Sequence, residues 1–239
     1  MLVSSLSSQP SIWMRLSGLA RLMGPSRVPP APAEPLPFAS VASRSTAVDV
    51  FRSSATPWVS SANRIFLSQD PGPYNPEASF NNTNCGPTSL AMALLALGLR
   101  PPGLPANASV ENWIDAARYA MRGDTNDYQL TSDDDVLRGA LQSGARAWKV
   151  TDRATLDQAL DAGALVVVAG NPAAYAGRFD SRSLRGFDGG HFILVAGRSG
   201  DRYVINDPLS RVGALTVTAD ELMRYMAYRD WHAGVAVTR

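Results

Sequence analysis

The sequence predicts an α+β fold, and three stretches predict it. Residues 90–97, a run of Leu, Ala and Met, are apolar on every side, as expected of a helix buried nearly all round. Residues 189–197 and 202–208 are two apolar β-type runs joined by Arg198, Ser199, Gly200 and Asp201, a turn by composition, so they form a hairpin. Residues 164–169 are continuously apolar and rich in Val, as in a strand covered on both faces.

The chain opens differently. Residues 1–45 are rich in Ser, Pro and Ala, carry Arg15, Arg21 and Arg27, and meet their first acid at Glu34. This composition reads as a disordered extension with an extended Pro-rich linker, and residues 46–239 as the folded domain. Within the extension, Ile12, Leu16, Leu19 and Met23 would share one face of a short amphipathic helix over residues 11–23. Such a helix suits a membrane surface, a secretion chaperone or the domain itself; the alternative is a solvated tail. Arginines interrupt its apolar part, so it is a poor Sec signal. A Ser-rich, acid-poor start is also found in bacterial effectors exported by specialised machines and in organelle transit peptides. The localisation therefore stays open between export by a non-Sec route and the cytoplasm.

In the domain, Val48, Val50 and Phe51 alternate loosely, and residues 64–67 suggest a short edge strand delivering Gln69. Residues 70–84 form a long loop with the turn chemistry of Pro71, Gly72, Pro73, Asn75 and Pro76. It runs straight into Cys85 and is expected to wall a cleft, with Tyr74 and Phe80 as substrate contacts or loop anchors. The helix that follows has Pro87 in its first turn, Gly98 at its C′ position, and Pro101 and Pro102 beyond. Ser109 caps a helix over 110–121 that Gly123 stops. The polar residues 124–128 form a loop whose acids lack a calcium-loop spacing. Thr131 or Ser132 caps a helix over 133–142, with Val136, Leu137 and Leu141 inward. Residues 145–150 are a strand with Trp148 as a core or cleft ring. Thr151 or Asp152 opens a helix through Leu160, closed by Gly163.

Residues 173–188 form a second long loop containing Arg178, Arg182 and Arg185 with Asp180 and Asp188. It is either a lid that recognises an acidic substrate group or ordinary surface charge. After the hairpin come a strand at 214–217 and a helix capped by Thr218 with Glu221 at N3. Met223, Met226 and Tyr228 are expected in the core. His232 precedes a closing strand at 234–237 and is read as structural.

The chain has 239 residues, 45% of them hydrophobic, and a formal net charge of +1, so it can bury a real core and presents no field that calls for nucleic acid. No apolar stretch approaches the about 18 residues of a membrane span. A single cysteine excludes an internal disulfide and zinc-type cysteine spacing, and no cofactor or metal is expected.

Chemistry concentrates at three residues. Cys85 sits at or just before a helix N-terminus, where unpaired N–H groups and the helix dipole favour a thiolate. His191 opens one hairpin strand and Asp207 closes the other, so antiparallel pairing brings both to one end. A nucleophile, a base and a carboxylate that orients the base are the parts of acyl-transfer catalysis.

The stretches Asn84-Cys85-Gly86-Pro87-Thr88-Ser89, Gly190-His191-Phe192-Ile193 and Val204-Ile205-Asn206-Asp207-Pro208 resemble the C39-like branch of the papain-like cysteine peptidases. The resemblance covers about residues 65–207. It implies a papain-like fold, a nucleophile helix packed on a twisted antiparallel sheet. It further implies Cys85 as nucleophile, His191 as base and Asp207 as orienter. The family's oxyanion glutamine matches Gln69 best, across an unusually long insert; Asn81, Asn82 or Asn84 are the alternatives. The activity implied is hydrolysis of a peptide or amide bond in a peptide or protein substrate. Deamidation of a protein glutamine, transglutaminase-like transfer and acyl transfer use the same triad, including in an exported bacterial effector. A non-catalytic binding module of the same fold is the remaining alternative.

Overall fold

A computed structural model describes residues 62–172, 189–210, 212–227 and 234–239, all within the unit Ala42–Arg239. The extension at 1–45, the helix at 11–23, the alternation at 48–51, the loop at 173–188, Tyr228 and His232 lie outside the described residues.

The elements are α1 (Cys85–Ala96), α2 (Val110–Arg122), α3 (Asp133–Gln142), β1 (Arg146–Val150), α4 (Arg153–Asp161), β2 (Leu165–Gly170), β3 (His191–Ser199), β4 (Arg202–Asn206), β5 (Leu215–Thr218), α5 (Ala219–Met226) and β6 (Gly234–Thr238). The strands make one antiparallel sheet in the order β1-β6-β2-β3-β4-β5. The closing strand β6 is therefore internal, inserted between β1 and β2.

Strand side chains alternate between two buried layers, as the period of two requires. Leu165, Val167, Phe192, Leu194, Val235 and Val237 face a cluster with α1, α2 and α3. Val166, Val168, Ile193, Val195, Ile205 and Ala236 face a cluster with α4 and α5. This is the α+β architecture the sequence predicts, the Cys85 helix on an antiparallel sheet, with a second helical layer on the sheet's other face.

The expected stops hold. Helix α1 ends with Gly98 at φ 64°, its N–H bonded to the Leu95 carbonyl and the Leu99 N–H to that of Leu94. This is the bonding of a Schellman cap, which needs a left-handed residue that glycine supplies without strain. Ser109, Ser132, Asp152 and Thr218 cap α2, α3, α4 and α5, each reciprocated by the side chain at N3.

Several expectations fail for identifiable reasons. Residues 64–67 are not a strand: the sheet edges are β1 and β5, and Gln69 is tied instead by its N–H to the Pro208 carbonyl at 3.0 Å. Trp148 is not a core ring but 40% exposed, because β1 is an edge strand. Leu141 is exposed, since Val136 and Ala140 already fill the inward face of α3. Met223 is half-buried against the second cluster, while Met226 is fully buried.

Candidate active site

Cys85 is the first residue of α1 and half-buried. Asn84 holds the N-cap position but makes no capping bond from its side chain. Among the described residues no acceptor takes the Cys85 N–H. His191 is the first residue of β3 and pairs across the sheet with Gly170. That glycine is required: a Cβ there would stand 2.1 Å from the Tyr225 ring. The Tyr225 hydroxyl in turn donates to the His191 carbonyl at 2.6 Å, fixing the histidine backbone from behind. Asp207 follows β4 directly, at the same end of the hairpin despite a bulge between Val195 and Gly197.

The two polar residues meet as the hairpin predicts. His191 Nε2 lies 2.8 Å from Asp207 Oδ1, with both side chains buried. The same Oδ1 accepts the Leu209 N–H at 2.8 Å, which holds the carboxylate in place. His191 also lies beside Cys85 in the cleft, close enough for each to shift the other's proton affinity. With Nε2 turned to Asp207, Nδ1 is the ring nitrogen left for the sulfur.

Burial works against charge on both members of this pair, and their partners overcome it. For His191, burial lowers the affinity for a proton, but the charge and hydrogen bond of Asp207, with those of Cys85, push its pKa up to about 10. For Cys85, burial favours the thiol. The hydrogen bond and charge of His191, and the backbone N–H groups of Phe192 and Gly86 at the sulfur, bring its pKa below the ordinary thiol value. The site therefore favours a thiolate facing an imidazolium.

A cleft of about 260 Å³ opens over the pair, lined by Cys85, His191, Gly190, Gln69, Asn82 and Leu130 among others. The long loop walls it, as expected. Tyr74 anchors that loop, its ring meeting Phe66 edge-on at 4.7 Å between centroids, whereas Phe80 is exposed. Gln69 is buried, and its Nε2 donates to Asn82 Oδ1 at 3.3 Å. Asn82 returns the contact by donating Nδ2 to the Gln69 carbonyl at 2.7 Å. Asn81 lines the cleft with φ 64°. Asn84 does not reach it: its Nδ2 donates to Asp127 Oδ1 at 2.8 Å and its Oδ1 is taken by Arg118. The structure thus brings Cys85, His191, Asp207 and Gln69 together, and removes Asn84 from the candidates for an oxyanion donor.

Sequence reasoning missed Arg118, which is fully buried. Its signal was present: it falls on the stripe of α2 that carries Ile114, Ala117 and Met121, where an apolar residue is expected. It also missed Gly86 as a packing position, where an added Cβ would stand 2.4 Å from Thr131 Oγ1.

One acidic group comes together away from the cleft. Glu111, Asp115 and Asp127, all half-buried, place carboxylate oxygens within 4.8 Å of one another. Burial raises the pKa of Glu111 and of Asp115, and repulsion from Asp127 adds to both. None of the three lines the cleft, so a cation there would not touch the Cys85–His191 pair. Among the described residues, no helix is long and apolar enough to cross a membrane.

Comparison with known families matches residues 65–233 to the Peptidase_C39 like family. No curated protein matches the chain. Among solved structures, the chain is similar to the peptidase domain of Streptococcus ComA, a bi-functional ABC transporter involved in a quorum-sensing pathway. The two are 16% identical over 73% of this chain and 98% of that one, with a TM-score of 0.46. It is similar as well to a protein described as a C39-like peptidase from Bacillus anthracis, at 15% identity over 74% and 96% of the two chains and a TM-score of 0.45. A third similarity is to a double glycine motif protease from an AMS/PCAT transporter, solved in complex with the leader peptide. It has 16% identity over 67% and 86%, and a TM-score of 0.40.

Proposed function

The chain belongs to the Peptidase_C39 like family, and we propose that it is a cysteine peptidase in which Cys85 attacks a peptide carbonyl. The observation that carries this reading is the buried pair at the cleft: Asp207 Oδ1 at 2.8 Å from His191 Nε2, with Cys85 and His191 lining the same cleft.

The geometry supports a reaction in two half-steps. The thiolate forms a C–S bond to the carbonyl carbon, and the carbonyl π pair moves to oxygen. The unclaimed N–H of Cys85 and the Nε2 of Gln69 stabilise that oxyanion. Collapse breaks the C–N bond, and imidazolium His191 gives its proton to the departing amine. Neutral His191 then takes a proton from water, which attacks the thioester and returns the thiolate with a free carboxylate. Asp207 holds the imidazole in orientation through both half-reactions. The substrate is a peptide or protein segment able to lay its backbone in the cleft between Gln69 and Gly190.

The test is incubation of the full chain, and of Cys85→Ala, with a tryptic peptide library read by mass spectrometry. Paired products with a new amino terminus, absent from Cys85→Ala by a factor of at least about 10⁴ in rate, are expected. Products of +1 Da without cleavage would replace peptide hydrolysis by glutamine deamidation. No difference between the two proteins would overturn the enzymatic reading in favour of a binding module.

A further inference from the structure

A residue at the N-cap of a helix normally accepts a hydrogen bond from the N–H of N2 or N3. In α1 those positions are Gly86 and Pro87, and Pro87 has no N–H. The one amide that Asn84 can cap is therefore that of Gly86. That amide lies beside the Cys85 sulfur, where it favours the thiolate.

The side chain of Asn84 is kept from it. Arg118 Nε donates to Asn84 Oδ1 at 2.9 Å and Nη2 to the same oxygen at 2.6 Å. The fork of a guanidinium suits this double grip, and a single ammonium does not. Arg118 Nη2 also donates to the Thr83 carbonyl at 3.0 Å, and Nη1 to the Gln129 carbonyl at 2.9 Å, so the guanidinium cannot swing away. Asp127 holds the other end of the Asn84 amide. Every polar atom of the Asn84 side chain thus points away from α1.

We propose that Arg118 is a positioning residue that pulls the N-cap side chain of Asn84 off the nucleophile helix and so reserves the Gly86 N–H for the Cys85 sulfur. A fully buried arginine on an otherwise apolar stripe is costly to desolvate. It persists here because releasing it would let the helix cap itself at the expense of the nucleophile. The inference rests on Cys85 being that nucleophile.

The charged groups around the sulfur are His191 with Asp207 from the hairpin, Arg118 from α2 with Asp127 from the loop after it, Asp70 on the cleft wall, and Asp135 of α3, which is paired with Arg122 and Arg138. The deciding variants change none of these charges. Asn84→Ser and Asn84→Ala both release the Arg118 grip equally, but only serine can cap Gly86.

The experiment is the pH profile of Cys85 alkylation by iodoacetamide, read by intact mass on the full chain, which has one cysteine. The alkylation midpoint of Asn84→Ser is expected about one unit above that of Asn84→Ala, so that at any pH below both midpoints it reacts about tenfold more slowly. Arg118→Met, which frees Asn84 to cap, is expected to shift in the same direction, and adding Asn84→Ala to it restores part of the rate. A merely structural role for Arg118 would slow all three alike. Equal profiles for the serine and alanine variants, with a low midpoint in the wild type, would overturn this inference alone. If Arg118→Met does not fold, the serine–alanine pair still decides. A wild-type midpoint near the ordinary thiol value of about 8.5 would overturn the peptidase reading together with the inference.

Discussion

The helical layer on one face of the sheet buries charge and unpartnered polar atoms; the layer on the other buries hydrocarbon and two phenols. On the Cys85 side, Arg118, His191 and Asp207 are buried, and Gln69 Oε1, Thr131 Oγ1 and Asp207 Oδ2 are buried with no hydrogen-bond partner among the described residues. No such atom belongs to α4 or α5 among the described residues. There, Tyr203 bonds Asp157 and Tyr225 bonds the His191 carbonyl. Leaving a buried polar atom unmade costs about 1–3 kcal/mol, so the Cys85 face carries a penalty that the α4/α5 face avoids. The difference assigns the faces their work. One is packed to hold the sheet, and the other spends stability on a prearranged polar cleft.

That division is broken if polar groups of the first face prove dispensable to turnover. The largest expected effect is at Asp207. Asp207→Ala removes both the orientation and the charge that keep His191 protonated, and should lower kcat by about 10²–10⁴-fold. The pH profile adds a sign. The pKa of His191 is raised to about 10 in the folded protein, above the about 6.5 of an unfolded chain. Its contribution to stability is therefore fully present below about pH 6.5 and is lost as pH rises toward about 10. In Asp207→Ala that loss should vanish from urea midpoints measured across the same range, and the alkaline limb of turnover should move down. An alkaline limb that stays in place would show that Asp207 is not what raises His191.

The next effect is at Gln69. If its Nε2 serves the oxyanion, Gln69→Ala lowers kcat by about 10²–10³ with KM little changed. The rate of Cys85 alkylation should stay near that of the wild type, because no tetrahedral oxyanion forms in that reaction. A loss below tenfold would assign the donor to another group; Asn82, which touches Gln69 on both sides, is then the first to test.

How much of this was legible follows the same division. The helices were readable because their signals are local: Ser109, Ser132, Asp152 and Thr218 cap where the sequence places caps, and Gly98, Gly123 and Gly163 take positive φ where it places stops. Cys85, His191, Asp207 and Gln69 were readable because motif and hairpin register bring them together. What was hidden depends on long-range pairing. Trp148 was misjudged because nothing near it says that β6, the last strand, inserts beside β1 and leaves β1 at the edge. The position of Arg118 on the apolar stripe of α2 marks it as unusual, but its partners at 83, 84, 127 and 129 lie on two loops whose meeting no spacing reveals.

The comparison predicts, last, a large change in stability with none in turnover. Leu156 is fully buried in α4, within the cluster formed with Val166, Val168, Ile193 and Val195. Leu156→Ala removes hydrocarbon from a well-packed layer and should cost about 2–5 kcal/mol, read as a lower urea midpoint at unchanged slope. The sheet separates that layer from Cys85, and the side chains of His191 and Gln69 bond Asp207 and Asn82; the layer's bond to the His191 carbonyl comes from Tyr225 of α5, not from α4. Turnover per folded molecule, measured well below the melting transition, should therefore match the wild type. A drop in kcat that tracks the loss of stability would mean that the α4/α5 layer sets the geometry of the His191 strand, and the two faces would have to be treated as one unit.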